Sequence, residues 1–293
     1  MGAQARRVIL WAGLLLCGYA LWRLRGEAGE ALAGLGWRGW LAIVALLVLC
    51  WGGSVAAWRR YLLAYTARDP GWRVAARQLG LLLVGKYVPG GVFGFLARVY
   101  DQPAPERAAV VWAGIAEQAV GIGLSVALGG VLFLGAESSG VWGALVLPMP
   151  FVAMAGVWLL HRCAAFLPWL RGQADIAPHW PALLHALSLH LLQLLAWTAL
   201  IAALAFVLFG MGPHASMGVA GAFLLAVGAG MLVMFMPGGI GVREAVLVAL
   251  AGRWLDLPQA VMLATLLRLL ASMLDVGAGA LAALIGNTAR SQG

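Results

Sequence analysis

Apolar residues gather along the chain in long stretches at 8–22, 39–58, 108–134, 141–160, 182–209, 217–236 and 258–286. Each is near or above the roughly 20 residues that cross a bilayer core as a helix. Glycines lie inside these runs and no sustained alternation of apolar and polar positions occurs, which favours helices over a barrel. The pattern predicts an all-α, polytopic integral membrane protein with about seven or eight transmembrane helices.

Two runs are interrupted in the same way. Residues 79–100, LGLLLVGKYVPGGVFGFLARVY, contain Pro89-Gly90-Gly91, and residues 234–250, MFMPGGIGVREAVLVAL, contain Pro237-Gly238-Gly239. Each tripeptide is followed by a further proline, Pro105 or Pro258, and then by an apolar run with an ionisable residue about three turns in, Glu117 or Arg268. The recurrence predicts two repeat-like halves, about 1–135 and 141–286, within a single membrane domain spanning 1–293. Matching broken segments in two halves point to a transporter site at the repeat interface.

Proline removes a backbone donor and Gly-Gly has no helical preference, so each tripeptide breaks its helix. The helix that restarts presents free N–H groups and a positive dipole end, a site for phosphate or carboxylate. Arg243, near the second restart, adds a guanidinium suited to phosphate, and Glu244 is placed to hold Arg243 or to pair with another cation. Lys86 and Arg98 flank the first break similarly. Arg98 and Arg243 as snorkelling helix-end residues are the competing reading. Glu117, Arg268 and Asp275 lie deep in apolar runs, where ionisable groups face a cavity or a partner. Arg268, Ser272 and Asp275 share one helical face. Glu117 and Arg268 have matching places and opposite charge, so an interhelical pair between them is expected. The candidate substrate-binding set is Lys86, Pro89, Gly90, Gly91, Arg98, Glu117, Pro237, Gly238, Gly239, Gly241, Arg243, Glu244, Arg268 and Asp275. His185, His190 and Gln193 are weaker candidates, with Gln193 suited to bridging helices.

Composition changes the picture little. The 293 residues are 63% hydrophobic and 10% charged, with mean hydropathy +0.93, against about 25% charged in soluble domains. The formal charge of +8 is explained by arginines in short loops under the positive-inside rule, so no nucleic-acid partner is expected. The connection 59–77 carries five arginines against Asp69 and is the best candidate for a cytoplasmic loop. Arg6-Arg7 before the first run, with Trp22, Arg23 and Arg25 after it, suggests an uncleaved first span and a cytoplasmic N-terminus. Trp37, Trp40, Trp58, Trp72 and Trp142 are expected at the membrane interface. Cys17, Cys50 and Cys163 lack metal-ligand spacing, so neither a disulfide nor a metal is expected, and no cofactor motif is present.

The segments GKYVPGGVFGFLARVY (85–100), VVWAGIAEQAVGIGL (110–124) and PGGIGVREAVLVAL with LPQAVMLATLLRLL (within 237–270) resemble the lysylphosphatidylglycerol synthase transmembrane-region family. This is the flippase-like module at the start of the bacterial multiple-peptide-resistance factor, also found as stand-alone proteins. The more specific motif is Pro237, Gly238, Gly239, Gly241, Arg243 and Glu244, then Arg268. The first half matches through Pro89, Gly90, Arg98 and Glu117. The resemblance implies a lipid-handling protein of the bacterial inner membrane. No soluble aminoacyl-transfer domain follows, so synthesis of aminoacyl-lipid by this chain is not expected. The leading expectation is a flippase moving an anionic or polyprenyl-linked lipid between leaflets, without cofactor and without being an enzyme. A non-catalytic subunit for an envelope biosynthesis enzyme is the alternative, and a lipid-modifying enzyme ranks lower. Membrane lipids are the expected partners, alongside a possible lipid-biosynthesis enzyme and a possible homo-oligomer.

Overall fold

The computed structural model of the chain describes residues 36–87, 92–137, 148–163, 178–233 and 241–290. Every regular element among them is helical. In chain order they are α1 (Gly36–Thr66), α2 (Gly71–Gly85), α3 (Phe93–Tyr100), a 3-10 turn (Ala104–Glu106), α4 (Arg107–Ala136), α5 (Met149–Cys163), α6 (Trp180–Phe209), α7 (Pro213–Leu232), α8 (Val242–Ala251) and α9 (Leu257–Arg290). The segments α1, Ala104–Ala136, α6, α7 and Leu257–Ile285 are long and apolar enough to cross a membrane. The chain is a multi-pass membrane protein. The expected first span, 8–22, and both Pro-Gly-Gly tripeptides (Pro89, Gly90, Gly91 and Pro237, Gly238, Gly239) lie outside the described residues, as does Trp142.

The order long helix, shorter helix, short return helix, long helix occurs twice, as α1–α4 and as α6–α9. The packing repeats as well. α1 lies along α6, α2 along α9 and α7 along α4, while α2 packs on α3 and α7 on α8. Exchanging the two sets of four maps these neighbours onto one another.

α2 and α3 form an antiparallel helical hairpin. Arg98 Nε donates to the Gln78 carbonyl at 3.1 Å, and Arg77 pairs with Asp101 at 2.9 Å. Nearer the tip the backbones all but touch: a side chain at Gly85 would run into Gly94, and a Cβ at Gly94 would stand 2.5 Å from the Leu82 carbonyl. Only glycine permits that approach. α7 and α8 form the second hairpin, with the Arg243 guanidinium 4.4 Å from the Phe223 ring centre and Gly218 lying against Trp254.

The two hairpins start from opposite ends of α4. At its beginning, Arg107 lies over Tyr100 and donates to the Gln102 carbonyl at 3.3 Å. At its end, Glu137 pairs with Arg253, and Phe133 meets Trp254 edge-on at 5.3 Å. One hairpin therefore enters from each membrane face, and the two halves are inverted relative to one another. Small residues allow the long contacts. Gly129 faces Gly221 between α4 and α7, Gly228 faces Ser125, and Gly80 and Gly279 bring α2 against α9.

Two expectations fail at the end of α1. The helix runs to Thr66, so Arg59 and Arg60 belong to its last turns and not to a loop. Arg59 reaches across the turn to Asp69 and lies over Trp72 at the start of α2. The Arg59 guanidinium and then the Gly71 amide hold the exposed Asp69 carboxyl down at about 2. Trp58 is fully buried, whereas Trp37, Trp40 and Trp72 are exposed as interfacial residues should be. Trp58 is drawn inward because its indole N–H donates to Gln78 Oε1 at 3.0 Å.

The inverted arrangement sets an expected labelling pattern. In a chain stripped of native cysteines, Ala104→Cys and Asp256→Cys should react with an impermeant maleimide from opposite sides of sealed vesicles. Labelling of both from one side would exclude hairpins entering from opposite faces.

Candidate functional site

Residues from both hairpins meet on α9. Lys86 and Tyr87 end the described part of the first hairpin. Lys86 Nζ lies 2.7 Å from Asp275 Oδ2, and the Tyr87 hydroxyl donates to the same oxygen at 2.6 Å. Tyr87 also bonds Ser272 Oγ at 3.1 Å. The Lys86 ammonium stands 5.5 Å from the Tyr87 ring centre and the Arg268 guanidinium 5.6 Å from it, so the ring sits among cations. Arg268 in turn lies 3.5 Å from Glu244 Oε1 on α8. Arg268, Ser272 and Asp275 form the shared face that their spacing predicts, and Tyr87 is what reads it.

α8 begins at Gly241, whose φ of +87° suits glycine alone. Glu244 closes a capping interaction by accepting the Gly241 N–H at 2.7 Å. Glu244 is thus committed to the helix start and to Arg268. It does not anchor Arg243, as one sequence expectation had it. Arg243 is half-buried against Phe223, and among the described residues no carboxylate lies within ion-pairing distance of it. Among the described residues the cluster holds three cations, Lys86, Arg243 and Arg268, and two carboxylates, Asp275 and Glu244, which leaves a surplus positive charge there.

Arg98 and Glu117 stand elsewhere, in a second cluster. Arg98 does not snorkel. Its side chain is 1% exposed, its Nη1 lies 2.5 Å from Glu117 Oε2, and its guanidinium lies 3.9 Å from the Trp58 ring centre. The Glu117–Arg268 pair expected across the halves is replaced by a pair within each half: Arg98 on α3 with Glu117 on α4, and Glu244 on α8 with Arg268 on α9. The physical reason is the hairpin. Each short return arm lies directly against the long helix that follows it, so the nearest counter-charge belongs to the same half. Counting about 1.5 Å per residue, Glu117 is about 15 Å into α4 and Arg268 about 16 Å into α9, near mid-membrane from opposite faces.

His190 bonds the Tyr61 hydroxyl through Nδ1 at 3.4 Å and belongs to this second cluster. Gln193 packs against Gly53, and its carbonyl accepts a weak contact from Cys50. His185 is exposed on α6. Sequence reasoning passed over Tyr87, Phe223, Gln78 and Tyr61, and placed Trp58 at the membrane interface. Tyr87 had a signal, since it stands beside Lys86 immediately before a break. The others are aromatic or amide residues in apolar runs, indistinguishable there from core.

The buried pair makes a stability expectation. Glu117→Gln or Arg98→Gln alone strands one charge and should cost about 3–5 kcal/mol, whereas the double substitution should cost less. Thermal unfolding of the purified variants in one detergent reads this. Additive losses would show that the two side chains do not depend on one another.

No curated protein and no solved structure matches the chain. The family model for the lysylphosphatidylglycerol synthase TM region matches residues 10–279, and with that coverage the chain belongs to the lysylphosphatidylglycerol synthase transmembrane-region family.

Proposed function

We propose that this protein moves an anionic lipid between leaflets, with the headgroup carried between the two hairpins and the acyl chains left in the bilayer. The supporting observation is the surplus positive charge where the ends of two oppositely entering hairpins meet. An isolated cation at this depth is expensive. A cluster of three cations with two carboxylates is better matched when an anion is present. Arg243 is the natural first contact for a phosphate: it has no ion pair among the described residues, and its planar fork suits bidentate phosphate binding. Lys86 and Arg268 flank it, and Asp275 and Glu244 keep them in place. Hairpins reaching the middle from each face suit alternating access, one opening while the other stays closed.

The face that carries Arg59, Arg60, Arg68, Arg73, Arg77 and Arg107 is, in this reading, the cytoplasmic face of a bacterial inner membrane. Lipid translocation involves no chemical change to the lipid, so the reading assigns no catalytic residue.

The test is a flipping assay on fluorescent phosphatidylglycerol in sealed vesicles, normalised to inserted protein. Arg243→Lys should retain part of the rate, because charge remains but the fork is lost. Arg243→Ala should lose about tenfold or more, as removal of a charged hydrogen bond of about 1.5–3 kcal/mol implies. Arg243→Ala combined with Glu244→Ala should stay inactive, since Glu244 serves Arg268 and the helix cap. Restored movement in the double variant would refute headgroup binding by Arg243.

A further inference from the structure

The Arg98–Glu117 cluster lies apart from the headgroup cluster, yet both belong to the first hairpin. Arg98 is on its return arm α3, and Lys86 and Tyr87 end its entering arm α2. We propose, resting on the lipid-moving function above, that Glu117 is a proton-binding site that couples the movement of the lipid to the transmembrane proton gradient.

Three observations carry this. The pair is lopsided: the Arg98 side chain is 1% exposed and the Glu117 side chain 17% exposed, so the carboxylate is the less enclosed half. Among the described residues, Arg98 Nη2 is a buried donor without a hydrogen-bond partner. The guanidinium is therefore not fully satisfied even with Glu117 charged, and a state that rearranges around it is close at hand. Finally, proton-carrying side chains from two further helices stand close enough to Glu117 to feel its charge. Tyr61 comes from α1 and His190 from α6, bonded to each other, with His190 lying over Gly121 one turn along α4.

Among the described residues, the charged and titratable groups around Glu117 are few. α3 brings Arg98, α1 brings Tyr61 with Tyr65 beyond it, and α6 brings His190. Gln78 of α2 holds Arg98 and Trp58, and the Arg77–Asp101 pair lies further toward the face. α7 contributes Met231 at this level, and α5 turns Met154 and Val157 inward. Arg98 is thus the strong electrostatic partner of Glu117.

The step balances simply. Glu117 takes one proton from one aqueous phase and becomes a neutral acid. The ion pair becomes a neutral-acceptor hydrogen bond, and Arg98 is left a buried cation without a counter-ion. That state releases α3 from α4, and α3 carries the first hairpin with Lys86 at its far end. Loss of the proton to the opposite phase restores the pair. A monoanionic headgroup moving with one proton crosses without net charge.

The experiment uses the full chain in vesicles with fluorescent phosphatidylglycerol, with the pH inside and outside set equal, or apart in either direction, with and without a protonophore. For one proton per lipid, each pH unit should hold the probe up to about tenfold asymmetric between leaflets, and a protonophore should abolish the asymmetry. Glu117→Gln, and the charge-free Arg98→Gln with Glu117→Gln in case the single variant misfolds, should move probe equally under all gradients. Infrared difference spectra on acidification should show a carboxylic-acid band in the wild type that is missing in Glu117→Gln. Wild-type movement indifferent to the gradient, or a full gradient response in Glu117→Gln, would overturn the coupling while leaving lipid movement standing. No probe movement by the wild type even at equal pH would defeat the lipid-moving function itself, and the coupling with it.

Discussion

Hydrocarbon offers no hydrogen bonds, so a helix that stops partway through a bilayer must have protein around its free ends. Both hairpins meet this demand in the same way. α2 and α3 are wrapped by α1, α4 and α9, and α7 and α8 by α4, α6 and α9. Glycines set the spacing. Gly85 and Gly94 close one hairpin, Gly80 and Gly279 bring α9 onto it, and Gly129 with Gly221 seats α7 on α4. Larger side chains at these backbone contacts would lever the short arms away from their supports and expose their helix ends to lipid.

Once the arms are walled in, their charges are walled in with them. A charge carried on a buried arm must find its partner on the adjoining helix, which explains why Arg98 meets Glu117 and Glu244 meets Arg268. Asp275 then pairs with Lys86 and accepts from the Tyr87 hydroxyl. Among the described residues, Arg243, with Phe223 as its neighbour, is left without an ion pair in this cluster.

Apolar run length made the helical membrane class legible, and the repeated tripeptide made two matching halves visible. Family membership was legible from short motifs around Pro89 and Pro237. Depth was legible for Glu117 and Arg268, because an ionisable residue in the middle of an apolar run has nowhere else to be. Partner choice was not. Equivalent positions in two halves suggested that Glu117 faces Arg268, but inversion sends the halves in opposite directions, and a single sequence does not state inversion. Trp58 misled for a related reason: a tryptophan beside two arginines resembles an interfacial anchor until Gln78, twenty residues away, folds back to accept its N–H.

The two return arms are electrically unlike: α3 carries Arg98 alone, whereas α8 carries Arg243 beside Glu244 and is neutral overall. Consider a membrane voltage acting on both. Movement of α3 along the membrane normal displaces a positive charge, while the same movement of α8 displaces none. Voltage therefore biases the two halves of the fold unequally, although their packing is alike.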